Sequence, residues 1–223
     1  IFGESALKLN SSKYMFEGLK KFLTKNNKIN EEWNAINILS SHASAIGSYD
    51  LDIVCKTNDT LGKIKNNFFE LIFLFGQDNF SFNKKNEFIV YIGSHGDKGA
   101  EMADLVLPGA AFTEQDGSFT NLEGKLQRAF KASYPPGEAK EDWVIINEIS
   151  KLTGRESLFK DKNELSNAMN SYISSNKEND NSNLFKEEFI KEKISTLPID
   201  YYHSNVIARS SKTMNECRSI RTR

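Results

Sequence analysis

Apolar residues along the chain fall into two patterns, and together they predict an α/β protein. Met15, Phe16, Leu19, Phe22 and Leu23 recur at helical spacing, which predicts a helix from about Ser12 to Thr24 with Ser11 or Ser12 as its cap. Phe69–Gly76 and Phe88–Gly93 read differently, because nearly every position is apolar and each run closes on Gly. Such runs suit strands of a parallel sheet covered on both faces. Leu105–Leu107, stopped by Pro108 and Gly109, predicts a third strand. Trp143, Ile145, Ile146, Ile149 and Leu152 give an apolar face to a helix that starts near Glu141 or Asp142. Gly154 fits its C-terminal cap.

Weaker patterns fill the rest. Ile1–Gly3 reads as the end of a strand running into a turn, so the chain is expected to start inside a fold, as a fragment, a processed product or half of a split gene. Ala35–Leu39 predicts a short strand, Asp59–Lys65 one or two helical turns, and Asp97–Ala103 a short helix capped by Asp97. His42–Asn58 and Ala110–Gly137 show neither period and predict long irregular segments. Leu165–Ile173 and Leu184–Ile194 predict helices, with a polar linker at Ser174–Asn183. The expected fold is α/β, a mostly parallel sheet flanked by helices over residues 1–155. A helical extension, linker and tail follow over 156–223.

Charge and cysteine content narrow the function classes. With 29 basic and 30 acidic residues the net charge is −1, which gives no electrostatic reason for a nucleic-acid or anionic-lipid partner. No apolar run approaches the roughly 20 residues of a membrane helix, so direct membrane insertion is not expected. Cys55 and Cys217 are the two cysteines, against the four that an iron–sulfur cluster typically takes. Both are expected as free, buried or inert thiols. Lys212, Arg218, Arg221 and Arg223 make a basic tail without interleaved aromatics, expected to be solvated or bound to a partner rather than to RNA. The glycines of Gly93–Gly99 do not fit the dinucleotide fingerprint.

One extended pattern is specific. It runs Tyr91-Ile-Gly-Ser-His95-Gly96-Asp97-Lys-Gly99-Ala100, then Ala103-Asp104-Leu-Val-Leu-Pro108 and Glu114. It continues as Asn121-Leu-Glu123-Gly124-Lys-Leu-Gln127 and closes at Pro135-Pro136-Gly137 and Trp143. This resembles the molybdopterin-oxidoreductase-like region of the large iron–sulfur subunit of respiratory complex I. Tyr201-Tyr202 and Ile207-Ala-Arg209-Ser210-Ser211-Lys-Thr213-Met214 through Cys217 resemble the tail of the same subunit in mitochondria. Lys125 departs from the Arg usual in the wider superfamily and weakens any anion site there.

The resemblance implies a structural, non-catalytic part of that subunit, in the peripheral NADH-oxidising arm on the matrix side of the inner mitochondrial membrane. It implies no cofactor in this chain, with iron–sulfur clusters on a missing amino-terminal part or on a separate cysteine-rich partner chain, among other peripheral-arm subunits. The alternative is half of a split, formate-dehydrogenase-like molybdopterin oxidoreductase; a third reading is a degenerate binding module in the old pterin cleft. Vestigial pterin-region candidates are His95, Asp97, Asp104, Glu123 and Gln127. None is expected to be catalytic, and no metal ligand is identified. His95 and Asp97 could act as neighbouring acid and base; a Gly-flanked turn with Asp97 as helix cap is the favoured reading. Glu114, Asp116 and Glu123 are expected to hold irregular backbone through its N–H groups, with Gly117 and Gly124 at positive φ.

Overall fold

The structure, a computed structural model, describes residues 1–40, 42–53, 60–177, 188–193 and 200–221, so Cys55 lies outside the described residues. In chain order the elements are β1 (Phe2–Gly3), α1 (Glu4–Leu7), α2 (Ser12–Lys25), β2 (Ile38–Leu39), α3 (Ala45–Asp50) and α4 (Thr60–Lys65). Next come β3 (Leu71–Phe75), β4 (Phe88–Gly93), α5 (Lys98–Glu101), β5 (Leu105–Pro108), β6 (Gly117–Thr120) and β7 (Leu126–Ala129). The chain continues through α6 (Asp142–Leu152), α7 (Lys162–Lys177), a 3-10 turn at Tyr201–His203, α8 (Val206–Ser210) and α9 (Lys212–Arg221). The α/β class and the parallel sheet are as expected from the apolar runs.

The chain packs as two units interleaved in sequence, so neither coincides with residues 1–155 or 156–223. One unit comprises Cys55–Gly117, Ala129–Ser166 and Ile199–Arg223. Its centre is a parallel sheet in the order β3-β4-β5. The central strand is buried along its length: Ile89, Val90, Tyr91 and Ile92 are 0–4% exposed. On one face Ile72, Leu74, Ile89 and Tyr91 pack with Ile64, Phe80, Phe82, Met102 and Ala103. These partners come from α4 and from the β3–β4 and β4–β5 connections, which lie together on that face. Right-handed crossovers between strands added in one direction produce this one-sided arrangement. The other face is covered by α6, whose Ile145 and Ile149 sit on Val90 and Ile92 beside Leu107.

β3 corrects the expectation of cover on both faces. Its burial alternates, with Ile72 and Leu74 inside and Leu71, Phe73 and Phe75 exposed. The apolar run is continuous, but α6 reaches only the β4 and β5 side.

The other unit comprises Ile1–Val54, Ser118–Arg128 and Asn167–Pro198. β1 and β2 pair in parallel, and Phe2 meets Phe16 of α2 edge-on at 5.8 Å. Ser11 precedes α2 but makes no side-chain cap bond. Its buried hydroxyl instead donates to the Ile190 carbonyl at 2.7 Å and accepts the Ile190 N–H at 2.8 Å. Two expected irregular segments contain structure. α3 lies inside 42–58, and β6 and β7 lie inside 110–137, joined by a turn in which Asn121 Oδ1 accepts the N–H groups of Glu123 and Lys125 at 3.0 and 2.9 Å. Elements this short carry too few residues for a period to show. Residues 188–193 are not helical, and the remainder of the expected helix, like most of the expected linker, lies outside the described residues.

Candidate functional site

The resemblance pattern begins at the carboxyl end of β4, where Tyr91 is 1% exposed. Its ring lies along the strand past residue 93, where a Cβ would meet the phenol oxygen at 2.6 Å, so only glycine fits. The hydroxyl donates to the His95 carbonyl and thereby shapes the loop. Burial pushes the Tyr91 hydroxyl above the ordinary phenol value, Asp78 adds to this and Arg209 opposes it. His95 Nδ1 lies 3.0 Å from Ser94 Oγ. Asp97 stands at the N-cap position of α5 without a side-chain cap bond; its carbonyl, not its carboxylate, starts the helix through Glu101 N–H. The turn reading of this stretch therefore holds, while the capping role given to the Asp97 side chain does not.

Beside this loop, the turn after β3 carries the buried Asp78, 2% exposed. Arg209 of α8 grips it with two groups: Nε donates to Oδ2 at 3.2 Å and Nη2 to Oδ1, while Nη1 donates to the His203 carbonyl at 3.3 Å. The Gly99 N–H donates to the Asp78 carbonyl at 2.8 Å, and a Cβ at position 99 would collide with the Gln77 carbonyl. Arg209 is thus tied to the turn after β3, while Lys212, Arg218 and Arg221 of the expected basic tail are exposed. Asn205 caps α8 by accepting the Ala208 N–H at 2.9 Å, and Arg218 Nε donates to Asp200 at 2.6 Å, so the segment arrives pre-shaped. Sequence reasoning singled out Arg209 as a motif residue but missed Asp78, its partner 131 positions away.

Asp104 sits at the opposite end of the sheet. Its carboxylate accepts the Ile89 N–H at 2.8 Å at the start of β4 and pairs with Lys84. The Lys84 ammonium, then the Ile89 N–H, hold the Asp104 carboxyl below the usual range. It is therefore separated from His95 and Asp97 by the length of β4. Two further carboxylates do the backbone work expected of them. Glu114 accepts the Ala111 N–H at 2.9 Å, and Asp116 accepts the Lys131 N–H at 2.9 Å while pairing with Lys162 at 2.8 Å. Lys162 also reaches Glu141 at 2.7 Å.

Glu123 and Gln127 belong to the other unit. Glu123 is exposed and takes a 3.4 Å contact from Asn121, so Asn121 organises the turn. Gly124 has φ +79°, as expected, whereas Gly117 is not at positive φ. Gln127 lines a cavity of about 310 Å³ with Ser40, His42, Ile46, Phe119 and Thr120.

Comparison with known proteins accords with this geometry. Residues 1–152 match the molybdopterin oxidoreductase family, and the chain belongs to it. Residues 164–217 match the carboxy-terminal domain of the NADH-ubiquinone oxidoreductase G subunit. The chain is 37% identical over 225 residues to the NADH-quinone oxidoreductase G subunit of Rickettsia bellii, covering 97% of this chain and 32% of that protein. It is 37% identical over 202 residues to the NADH-ubiquinone oxidoreductase 75 kDa subunit of Reclinomonas americana (84% and 29% covered). It is 33% identical over 238 residues to the mitochondrial 78 kDa subunit of Candida albicans (97% and 32%). Within its family the chain is thus a homologue of the large iron–sulfur subunit of complex I, and corresponds to its molybdopterin-oxidoreductase-like part. It spans about a third of the length of these relatives.

At the carboxyl edge of the sheet, the Tyr91 hydroxyl is engaged with the loop and Asp78 with Arg209. Among the described residues no three His, Cys, Asp or Glu side chains gather to hold a metal. Cys217, the one described thiol, is exposed on α9.

Proposed function

We propose that the chain is a structural, non-catalytic part of the large iron–sulfur subunit of respiratory complex I, the NADH:ubiquinone oxidoreductase. In this reading it supports the cluster-bearing part of the subunit in the peripheral arm, on the matrix side of the inner mitochondrial membrane. It carries no cofactor itself; the clusters lie on a cysteine-rich portion, in the same polypeptide or in a separate one, which is its principal partner. The observation that carries the proposal is the match in tandem to two family segments, together with relatives aligned along 84–97% of the chain. Among the described residues no helix is long and apolar enough to cross a membrane, which suits attachment through protein partners.

The test is a native gel of the assembly, with metal and pterin analysis of the excised band. Migration with a cysteine-rich chain, iron in excess and no molybdenum, tungsten or pterin supports the reading. Stoichiometric molybdenum or tungsten with a pterin would instead make the chain half of a split molybdopterin oxidoreductase.

A further inference from the structure

The sheet face under α6 is covered over only part of its width. Strand register places Leu71, Phe73 and Phe75 of β3 on the same face as Phe88, Val90 and Ile92 of β4. α6 covers Val90 and Ile92, yet Leu71 is 52% exposed, Phe73 40%, Phe75 44% and Phe88 48%. The Phe73 and Phe75 rings stack on one another, 6.2 Å apart at 24°, in the open. Parallel sheets are ordinarily covered on both faces. Both crossover connections already lie on the opposite face, so neither of them supplies the missing cover.

We infer that this open half-face receives the apolar side of a helix from the part of the subunit that the relatives carry beyond this chain's span. The inference rests on the proposed function and names the surface it uses. Area decides between this occupant and a second copy of the chain. Four large side chains about half exposed present on the order of 350 Å². Two such patches face to face bury about 700 Å², below the roughly 1,200 Å² of a stable complex. A single helix needs no more than this strip when the rest of its subunit makes further contacts. The relatives leave about two-thirds of their length outside the 29–32% that aligns with this chain. The strip also adjoins the buried Val90 and Ile92, so a docked helix would lie beside α6 and complete the same apolar layer.

The test places glutamate at both stacked rings, Phe73→Glu with Phe75→Glu, in the full chain within its native assembly. Circular dichroism first checks that the fold is kept, and Phe130→Glu, at a 77% exposed aromatic, serves as control. The expected result is a loss of about tenfold or more in the cysteine-rich chain recovered with the variant, with the control unchanged. A photo-crosslinker at position 73 should then join a helical peptide of the cysteine-rich chain. If the parent chain is neither continuous with a cysteine-rich portion nor recovered with a cysteine-rich chain, the proposed function itself fails. If the parent does and the double variant does equally well, or position 73 crosslinks to a second copy, the surface assignment alone is wrong.

Discussion

β3 and β4 are neighbouring strands with almost the same apolar composition and opposite circumstances. β4 is buried from Ile89 through Ile92, under α6 on one face and under the crossover connections on the other. β3 has only Ile72 and Leu74 inside, while its other side chains face outward. The difference shows that a run of apolar residues reports how much cover a strand calls for, and not how much its own chain supplies. Beyond the carboxyl end of β3, Asp78 is locked to Arg209 of the tail.

Substitutions can break this contrast or sharpen it. The largest effect is expected from Arg209→Ala, which strands Asp78 as a buried, unpaired charge. It should lower unfolding free energy by about 3–5 kcal/mol. Replacing both partners with apolar residues should cost far less, and denaturant titration separates the two cases. Ile89→Ala, at a fully buried site of β4, should cost about 2–5 kcal/mol in the same titration. Asn147→Ala is expected to cost about 1–3 kcal/mol, because Asn147 Nδ2 donates to the Phe159 carbonyl at 2.7 Å and Oδ1 accepts the Leu158 and Phe159 N–H groups. Proteolysis between 154 and 160 should rise with it.

A smaller effect follows from Asp104. Its folded carboxyl titrates below the ordinary Asp value of about 3.9, so its stabilisation is fully present above that pH. It is lost as pH falls through the lower folded value. Asp104→Asn should flatten that part of the acid unfolding curve. Smallest is Phe73→Ala in the chain alone, within about 0.5 kcal/mol, as expected for an exposed site. A cost there comparable with that of Ile89→Ala would erase the contrast between the strands.

The apolar runs at 71–75, 88–93 and 105–107 made the sheet legible, and the spacing of Ile145 and Ile149 located α6. Both signals are local and strong. β6 and β7, of four residues each, were too short to show alternation. The pairing of Arg209 with Asp78 joins residues 131 apart, and nothing near either one announces the other. Of the site candidates, His95 and Asp97 share one loop as their spacing implies, while Asp104 lies at the far end of the strand because it fastens the start of β4. Motif adjacency therefore did not translate into a single cluster. Backbone duties explain why: Tyr91, Asp104, Glu114 and Asp116 each bond a main-chain group that fixes a strand end or a turn.

Hydroxyl-radical footprinting of the chain, alone and in its assembly, addresses the contrast most directly. Labelling of Phe73, Phe75 and Phe88 should be strong in the isolated chain and suppressed in the assembly, with Phe130 labelled in both. Equal labelling of the three phenylalanines in the two states would contradict the account.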